Sequence, residues 1–222
     1  IGVVGVNWTV RIAGCKFLNA AGNGTTADAI KCFQYFNDLK NVQGQNILVT
    51  NNSWGGGGYS QALKDAMAGL DQPGMAPILH AVAAGNANNN NDITPFYPAS
   101  YDLDNNIAVA ATDHNDLYAS FSNFGATSVD LAAPGVNILS TYIPGNAYKS
   151  LSGTSMATPH VTGVAALAWS AYPSLTALGM KQLLMSTTDY IGNIGSNASK
   201  PTVTNGRLNA AKAVENDSTP PA

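Results

Sequence analysis

Short apolar runs of strand length alternate along this chain with longer segments of helical period, and clusters of Gly and Asn separate them. The pattern predicts strands over 10–18, 46–51, 77–84, 107–111 and 129–132. It predicts helices over 28–39, 61–70, 155–172, 175–187 and 208–214. Almost no polar side chain occurs in 77–84, which is typical of a strand covered on both faces. The alternation therefore indicates an α/β fold with a parallel sheet.

The composition is that of one globular domain. A chain of 222 residues that is 45% hydrophobic can bury one substantial core. The net charge is −3 and the few Lys and Arg residues are scattered, so nucleic acid is not an expected partner. No apolar run reaches the ~18 residues of a membrane span, so no membrane contact is expected. We predict a domain over 1–215, followed by a Pro-containing linker over 216–222.

Two cysteines and a buried histidine stand apart from any metal-binding pattern. Cys15 and Cys32 fall on a predicted strand and the helix that follows it, so they form either a disulfide or two small buried apolar contacts. Neither has the paired spacing of a zinc site. His80 interrupts the apolar strand 77–84, and we interpret it as a hydrogen-bonded core residue.

The segment 153–160 reads Gly-Thr-Ser-Met-Ala-Thr-Pro-His and precedes a long apolar helix. A nucleophilic Ser must be exposed, and a helix N-terminus favours the negative charge that develops in acyl transfer. The alternative is that Ser152 or Thr154 only caps a core helix. The whole octapeptide resembles the nucleophile motif of the subtilisin-like serine peptidases. This resemblance implies that Ser155 is the nucleophile and that its N–H helps to bind the oxyanion.

The resemblance extends over the chain from residue 1 to about 215 and implies further roles. In 82–86, Asn86 matches the family's side-chain donor to the oxyanion; otherwise it is a turn residue after Gly85. Further stretches that look like the family are 97–101, 121–125, 133–135 and 206–209. Together they imply the family's three-layer α/β fold with a mostly parallel central sheet.

The resemblance also implies a groove for an extended polypeptide substrate. Two segments would pair with the substrate backbone, and a third would line the pocket for the side chain before the cleaved bond. The first two are Gly22, Asn23, Gly24 and Ser53, Trp54, Gly55; the third is Ala83, Ala84, Gly85. Because these residues are small and carry no acid, we expect a broad preference for large apolar side chains.

The residues that should activate the nucleophile are absent. The family supplies them from Asp-Ser/Thr-Gly and His-Gly-Thr-His segments, and this sequence contains neither. Its three histidines are His80, His114 and His160, and none matches the family's base. Either the chain is a catalytic domain truncated at its N-terminus, which we prefer, or it is a natural non-catalytic pseudopeptidase that binds peptides. In both cases we expect this chain alone to be inactive.

The remaining expectations also rest on the resemblance. Backbone carbonyls of Ile1 and Val3 match two positions that bind a structural calcium ion in many members; the alternative is an ordinary start to a strand. The intact protein would be a secreted, monomeric serine endopeptidase that acts through an acyl-enzyme and is made with a propeptide. An esterase or lipase would need Gly-x-Ser-x-Gly and a distant later His, but Ala157 holds the fifth position and His160 is too close.

Overall fold

The computed structural model describes residues 2–69, 75–143, 145 and 147–215. Its helices are α1 (Thr26–Asn41), α2 (Gln61–Ala68), α3 (Thr154–Ala171), α4 (Ala177–Ser186) and α5 (Ala210–Val214). A short 3₁₀ helix covers Gly195–Ser199. Its strands are β1 (Val49–Asn52), β2 (Leu79–Ala83), β3 (Asn106–Thr112), β4 (Leu131–Pro134), β5 (Ile138–Tyr142), β6 (Ala147–Leu151), β7 (Asp189–Tyr190) and β8 (Gly206–Arg207). None of these helices is long and apolar enough to cross a membrane.

The main sheet has the strand order β1-β2-β3-β4-β8-β7 and is parallel except for the last pair. Alternate residues of β2 and β3 point to opposite faces. Leu79 and Ile107 pack with α3, α4 and α5, whereas Val82 and Ala108 pack with α1 and α2. The sheet is therefore the middle of three layers, as predicted, and the antiparallel pair β5 and β6 forms a separate hairpin.

The five predicted helices are all present, with ends that move by a few residues, and four of the five predicted strands form. The prediction of a strand over 10–18 is wrong: this segment has no strand partner among the described residues. It lines one side of a cavity of about 560 Å³, and β1 lines another. A strand needs a neighbouring strand for its backbone groups, and the described part of the chain provides none here. The hairpin β5–β6 was not predicted, because its mostly exposed residues lack a buried alternation.

Cys15 and Cys32 form a disulfide, with a Cα–Cα distance of 5.7 Å. The structure thus decides between the two alternatives for these residues. The bond ties the irregular segment 10–18 to the buried side of α1, where Cys32 lies. Both cysteines line the cavity, so the disulfide holds one wall of it in place.

His80 is a core residue, as the sequence indicated. It is 1% exposed, its Nε2 lies 2.8 Å from the Met67 carbonyl, and its Nδ1 lies 2.7 Å from the Thr50 hydroxyl. The carbonyl can only accept, so Nε2 carries the proton and Nδ1 accepts from Thr50. Burial lowers the pKa of His80 from 6.5 to about 4, with a smaller lowering contribution from the charge of Lys40.

This histidine should make the fold less stable in mild acid. Between pH 6.5 and about 4 the unfolded chain binds a proton on His80 that the folded chain excludes, so stability falls as the pH is lowered through this window. The loss should approach about 3 kcal/mol at pH 4. Urea unfolding at several pH values should show it, and the slope between pH 6 and 4 should be smaller in His80→Gln. An equal slope in the variant would assign the effect to other groups.

Candidate active site

Three of the segments singled out in the sequence meet at one edge of the sheet. Ser53 follows β1, Gly85 and Asn86 follow β2, and Ser155 lies in the first turn of α3. Because β1 and β2 are parallel, their carboxyl ends share this edge, which is where α/β proteins bind ligands. Hydrogen bonds join both strand ends to α3. The fold therefore brings the predicted nucleophile next to the predicted oxyanion donor.

A proline inside α3 leaves the Ser155 carbonyl available to accept a hydrogen bond from the end of β1. In a regular helix the N–H of residue 159 would donate to the carbonyl of residue 155, but Pro159 has no N–H. The Ser155 carbonyl accepts a hydrogen bond from Ser53 Oγ at 2.9 Å instead. The Ser155 hydroxyl in turn donates to the Ser53 carbonyl at 3.3 Å. The predicted nucleophile is thus held at the strand end, and its hydroxyl makes only a long hydrogen bond there.

The side chain of Asn86 is oriented by Thr154. The backbone N–H of Thr154 donates to Asn86 Oδ1 at 2.8 Å, and the Thr154 hydroxyl donates to the same atom at 3.0 Å. Thr154 is fully buried and its hydroxyl also accepts from the N–H of Gly85 at 3.2 Å. Since Oδ1 takes both donors, the Nδ2 group of Asn86 points away from Thr154. Asn86 therefore presents a donor to the exposed side of the site.

Two donors converge beside the α-carbon of Gly153. A β-carbon added there would lie 3.7 Å from Asn86 Nδ2 and 3.7 Å from the backbone nitrogen of Ser155. Within the described residues the Ser155 N–H donates no hydrogen bond. The first N–H groups of a helix are unpaired by its geometry and carry a positive potential. The space beside Gly153 can therefore hold a negatively charged oxygen that accepts from both groups.

Asn123 organises the loop that carries Asn86, and sequence reasoning gave it no role. It is 1% exposed, and its Oδ1 accepts from the N–H groups of Ala87 at 2.9 Å and Asn89 at 3.1 Å. Its Nδ2 donates to Asn91 Oδ1 at 3.0 Å, and Asn91 donates to the Ala84 carbonyl. In the sequence, the segment 121–125 stands out only through its family likeness. The polar run 88–91 predicts a loop, and the backbone N–H groups of a loop need acceptors from other segments. This was the available signal for an anchor such as Asn123.

A carboxylate anchors the far end of the same loop. Asp92 Oδ1 accepts from both the N–H and the hydroxyl of Thr127, and also from the N–H and the hydroxyl of Ser128. Burial alone would raise the pKa of Asp92, but the donors of Ser128 and Thr127 together outweigh it and the pKa is lowered. Asp92 therefore stays charged and fixes the loop near neutral pH.

One predicted groove segment, 22–24, is connected to Trp54 through Phe17. The turn at 19–23 is closed by Asn19 N–H to Asn23 O at 2.8 Å, and it leads into α1. Gly24 packs against Phe17, whose ring meets Trp54 edge to face at 5.0 Å. Ala83 and Ala84 are buried, with only 3% and 0% of their surface exposed.

The three histidines lie away from Ser155. His160 bonds the Met156 carbonyl within α3, His80 is in the core and His114 lies in a turn, so none of the three contacts Ser155.

Of the two residues predicted to bind calcium, Ile1 lies outside the described residues. No carboxylate precedes Asp28 in the sequence, and the described residues contain no cluster of three or more His, Cys, Asp or Glu side chains suited to a metal ion. The surroundings of Val3 therefore do not fit a complete calcium site, which needs about six to eight oxygens.

This chain is similar to known proteins of one family. A family model described as the subtilase family matches residues 1–213. Subtilisin DY of Bacillus licheniformis is 42% identical over 194 residues, which cover 86% of this chain and 66% of that protein. Proteinase R of Parengyodontium album is 44% identical over 164 residues, covering 73% of this chain and 40% of that protein. The chain thus spans between two fifths and two thirds of these relatives.

A solved structure supports the fold. The crystal structure of a cold adapted subtilisin-like serine proteinase superimposes with a TM-score of 0.78 at 36% sequence identity. The superposition covers 94% of this chain and 72% of the other. The predicted three-layer α/β fold is therefore confirmed as one of the subtilisin-like type.

Proposed function

This chain belongs to the subtilase family, and from that premise we propose that it forms most of the catalytic domain of a serine endopeptidase. The observation that carries the proposal is the pair of donors beside Gly153. Asn86 Nδ2 and the Ser155 N–H flank one small space next to the nucleophile, as acyl transfer requires.

In the proposed reaction the Ser155 oxygen attacks the carbonyl carbon of a peptide bond. Its proton passes to a general base, and the carbonyl oxygen becomes an oxyanion held by Asn86 Nδ2 and the Ser155 N–H. The C–N bond then breaks, the proton goes to the leaving amine, and an acyl-enzyme on Ser155 remains. Water, deprotonated by the same base, attacks the ester and releases Ser155.

The base and its orienting carboxylate would come from polypeptide outside these 222 residues. Two observations support this choice over a pseudopeptidase. The chain spans only part of the length of its relatives. The cavity between 10–17 and β1 lies beside β1, the outermost strand on one side of the main sheet. Its walls include Phe33 of α1 and Ala166 of α3. A further strand there would complete the core and end near Ser53.

Labelling with a fluorophosphonate separates these alternatives. We expect Ser155 in this chain alone to react at least ~1000-fold more slowly than in a longer polypeptide that supplies the His and Asp segments, because the hydroxyl lacks its base. Mass spectrometry of the labelled peptide gives the rate, and Ser155→Ala serves as the blank. Equal rates in the two forms, or no labelling of the longer form, would overturn the proposal; the second result would favour a peptide-binding protein.

Substrate, compartment and metal follow as parts of the same proposal. The substrate is an extended polypeptide lying between the segments Gly22–Gly24 and Ser53–Gly55, and the protein's own propeptide would occupy the same groove. The disulfide between Cys15 and Cys32 supports an oxidising compartment such as the exterior of the cell. Any structural calcium would need ligands beyond the carbonyls of Ile1 and Val3.

A further inference from the structure

The ring of Phe96 stands between two glycines of the proposed groove. A β-carbon added to Gly55 would collide with Cε1 and Cζ of this ring, and one added to Gly85 would lie 3.1 Å from its Cδ1. Gly55 is two residues beyond Ser53, which bonds Ser155, and Gly85 directly precedes Asn86. The ring therefore lies between the two backbone walls that would flank the substrate side chain.

Hydrogen bonds hold the backbone of Phe96 in this position. Its N–H donates to Ser100 Oγ at 2.9 Å, and its carbonyl accepts from the Ser100 N–H at 2.9 Å. The next residue, Tyr97, accepts from the N–H of Gly56 at 2.9 Å, which ties the turn to the wall that contains Gly55. The ring is half-buried and packs against the apolar cluster that also contains Trp54. Phe96 is thus a fixed part of the groove.

We infer that Phe96 fills the pocket for the substrate side chain before the cleaved bond, so that the site selects small side chains such as Ala, Ser or Gly. This inference rests on the proposed function and replaces the expectation of a preference for large apolar side chains. Small residues on the walls suggested an open pocket, but the space that they leave is occupied by an aromatic ring from another segment. A large substrate side chain would have to displace the ring from between the two glycines.

The test compares Ala and Phe at that substrate position in two assays. In the first, this chain is titrated with succinyl-Ala-Ala-Pro-Ala and succinyl-Ala-Ala-Pro-Phe, followed by ¹⁵N chemical shifts. In the second, the active longer form hydrolyses the p-nitroanilides of the same two peptides. We expect the unmodified protein to favour Ala by about 10-fold or more in Kd and in kcat/KM. In Phe96→Ala the preference should reverse, with the Phe substrate gaining about 10- to 100-fold.

Two further variants keep the test decisive. Phe96→Val retains apolar packing and should give an intermediate preference if the alanine variant is too unstable. Phe36→Ala removes a partly buried ring from α1, away from both glycines, and should leave the preference unchanged. A preference for Phe in the unmodified protein, or one that Phe96 variants do not change, would overturn this inference while leaving the peptidase proposal intact. Failure to bind or cleave either peptide would count against both.

Discussion

Replacing Gly153 by Ala should lower kcat/KM of the active longer form by about 100- to 1000-fold with little change in Tm. The new methyl group would sit 3.7 Å from both Asn86 Nδ2 and the Ser155 nitrogen, where we propose that the oxyanion forms. Contacts of that length are ordinary van der Waals contacts, and Gly153 has an extended backbone that any residue can adopt. The expected magnitude is the one known for removing a single oxyanion donor in a subtilisin, a relative of this chain.

Two comparisons identify the cause of that loss. Gly58→Ala places a methyl group in open space in the loop after β1 and should leave kcat/KM and Tm unchanged. Combining Gly153→Ala with Asn86→Ala should lower kcat/KM little more than either change alone, because both changes disrupt the same binding place for the oxyanion. Full activity in Gly153→Ala, or additive losses in the double variant, would show that the oxyanion does not form at this place.

Replacing Lys181 by Met should destabilise the fold by about 3–5 kcal/mol, because it leaves a buried carboxylate without its partner. Lys181 Nζ lies 3.1 Å from Asp130 Oδ1, and the two side chains are only 17% and 14% exposed. Asp130 Oδ2 also accepts from the Ala108 N–H at 2.7 Å, and Lys181 donates to the Asn106 carbonyl. This pair therefore joins α4 to β3 and to the start of β4. Urea unfolding at pH 7 measures the loss.

The dependence of that loss on pH identifies the carboxylate as its source. Burial raises the pKa of Asp130, although Lys181 lowers it in part. Without Lys181 the pKa should rise further, so protonation of Asp130 on acidification should relieve the variant more than the parent. The difference in stability between variant and parent should shrink as the pH is lowered through the raised pKa of Asp130 in the variant. The double variant Asp130→Asn, Lys181→Met should lose most of this pH dependence, and a constant difference would contradict the explanation.

A strand could be predicted from the sequence where the elements that pack against it are present in the described structure. The apolar strand 77–84 was predicted correctly because its side chains reflect the two helical layers that cover it. The pattern over 10–18 is that of a strand too, but a strand requires a partner, and no partner lies beside it among the described residues. The period of a segment shows what it could bury, and does not show whether a partner lies beside it.

The candidate site also contains some residues that the sequence indicated and others that it did not. Ser155 and Asn86 could be predicted as site residues because each lies in a compact motif, and the structure brings them together through Thr154. Phe96 and Asn123 were missed because their roles depend on contacts across the chain. Phe96 reaches Gly55 and Gly85, and Asn123 reaches the loop after β2. No local pattern in a single sequence predicts such contacts.

The disulfide between Cys15 and Cys32 has a consequence for assembly. It spans a sequence separation of 17 residues, and closing a loop of this size removes about 3 kcal/mol of chain entropy from the unfolded state. If the strand proposed above fills the cavity, it would meet one wall that is already in place, because the bond holds the segment 10–18 beside α1. Oxidation before that strand docks should therefore speed completion of the core.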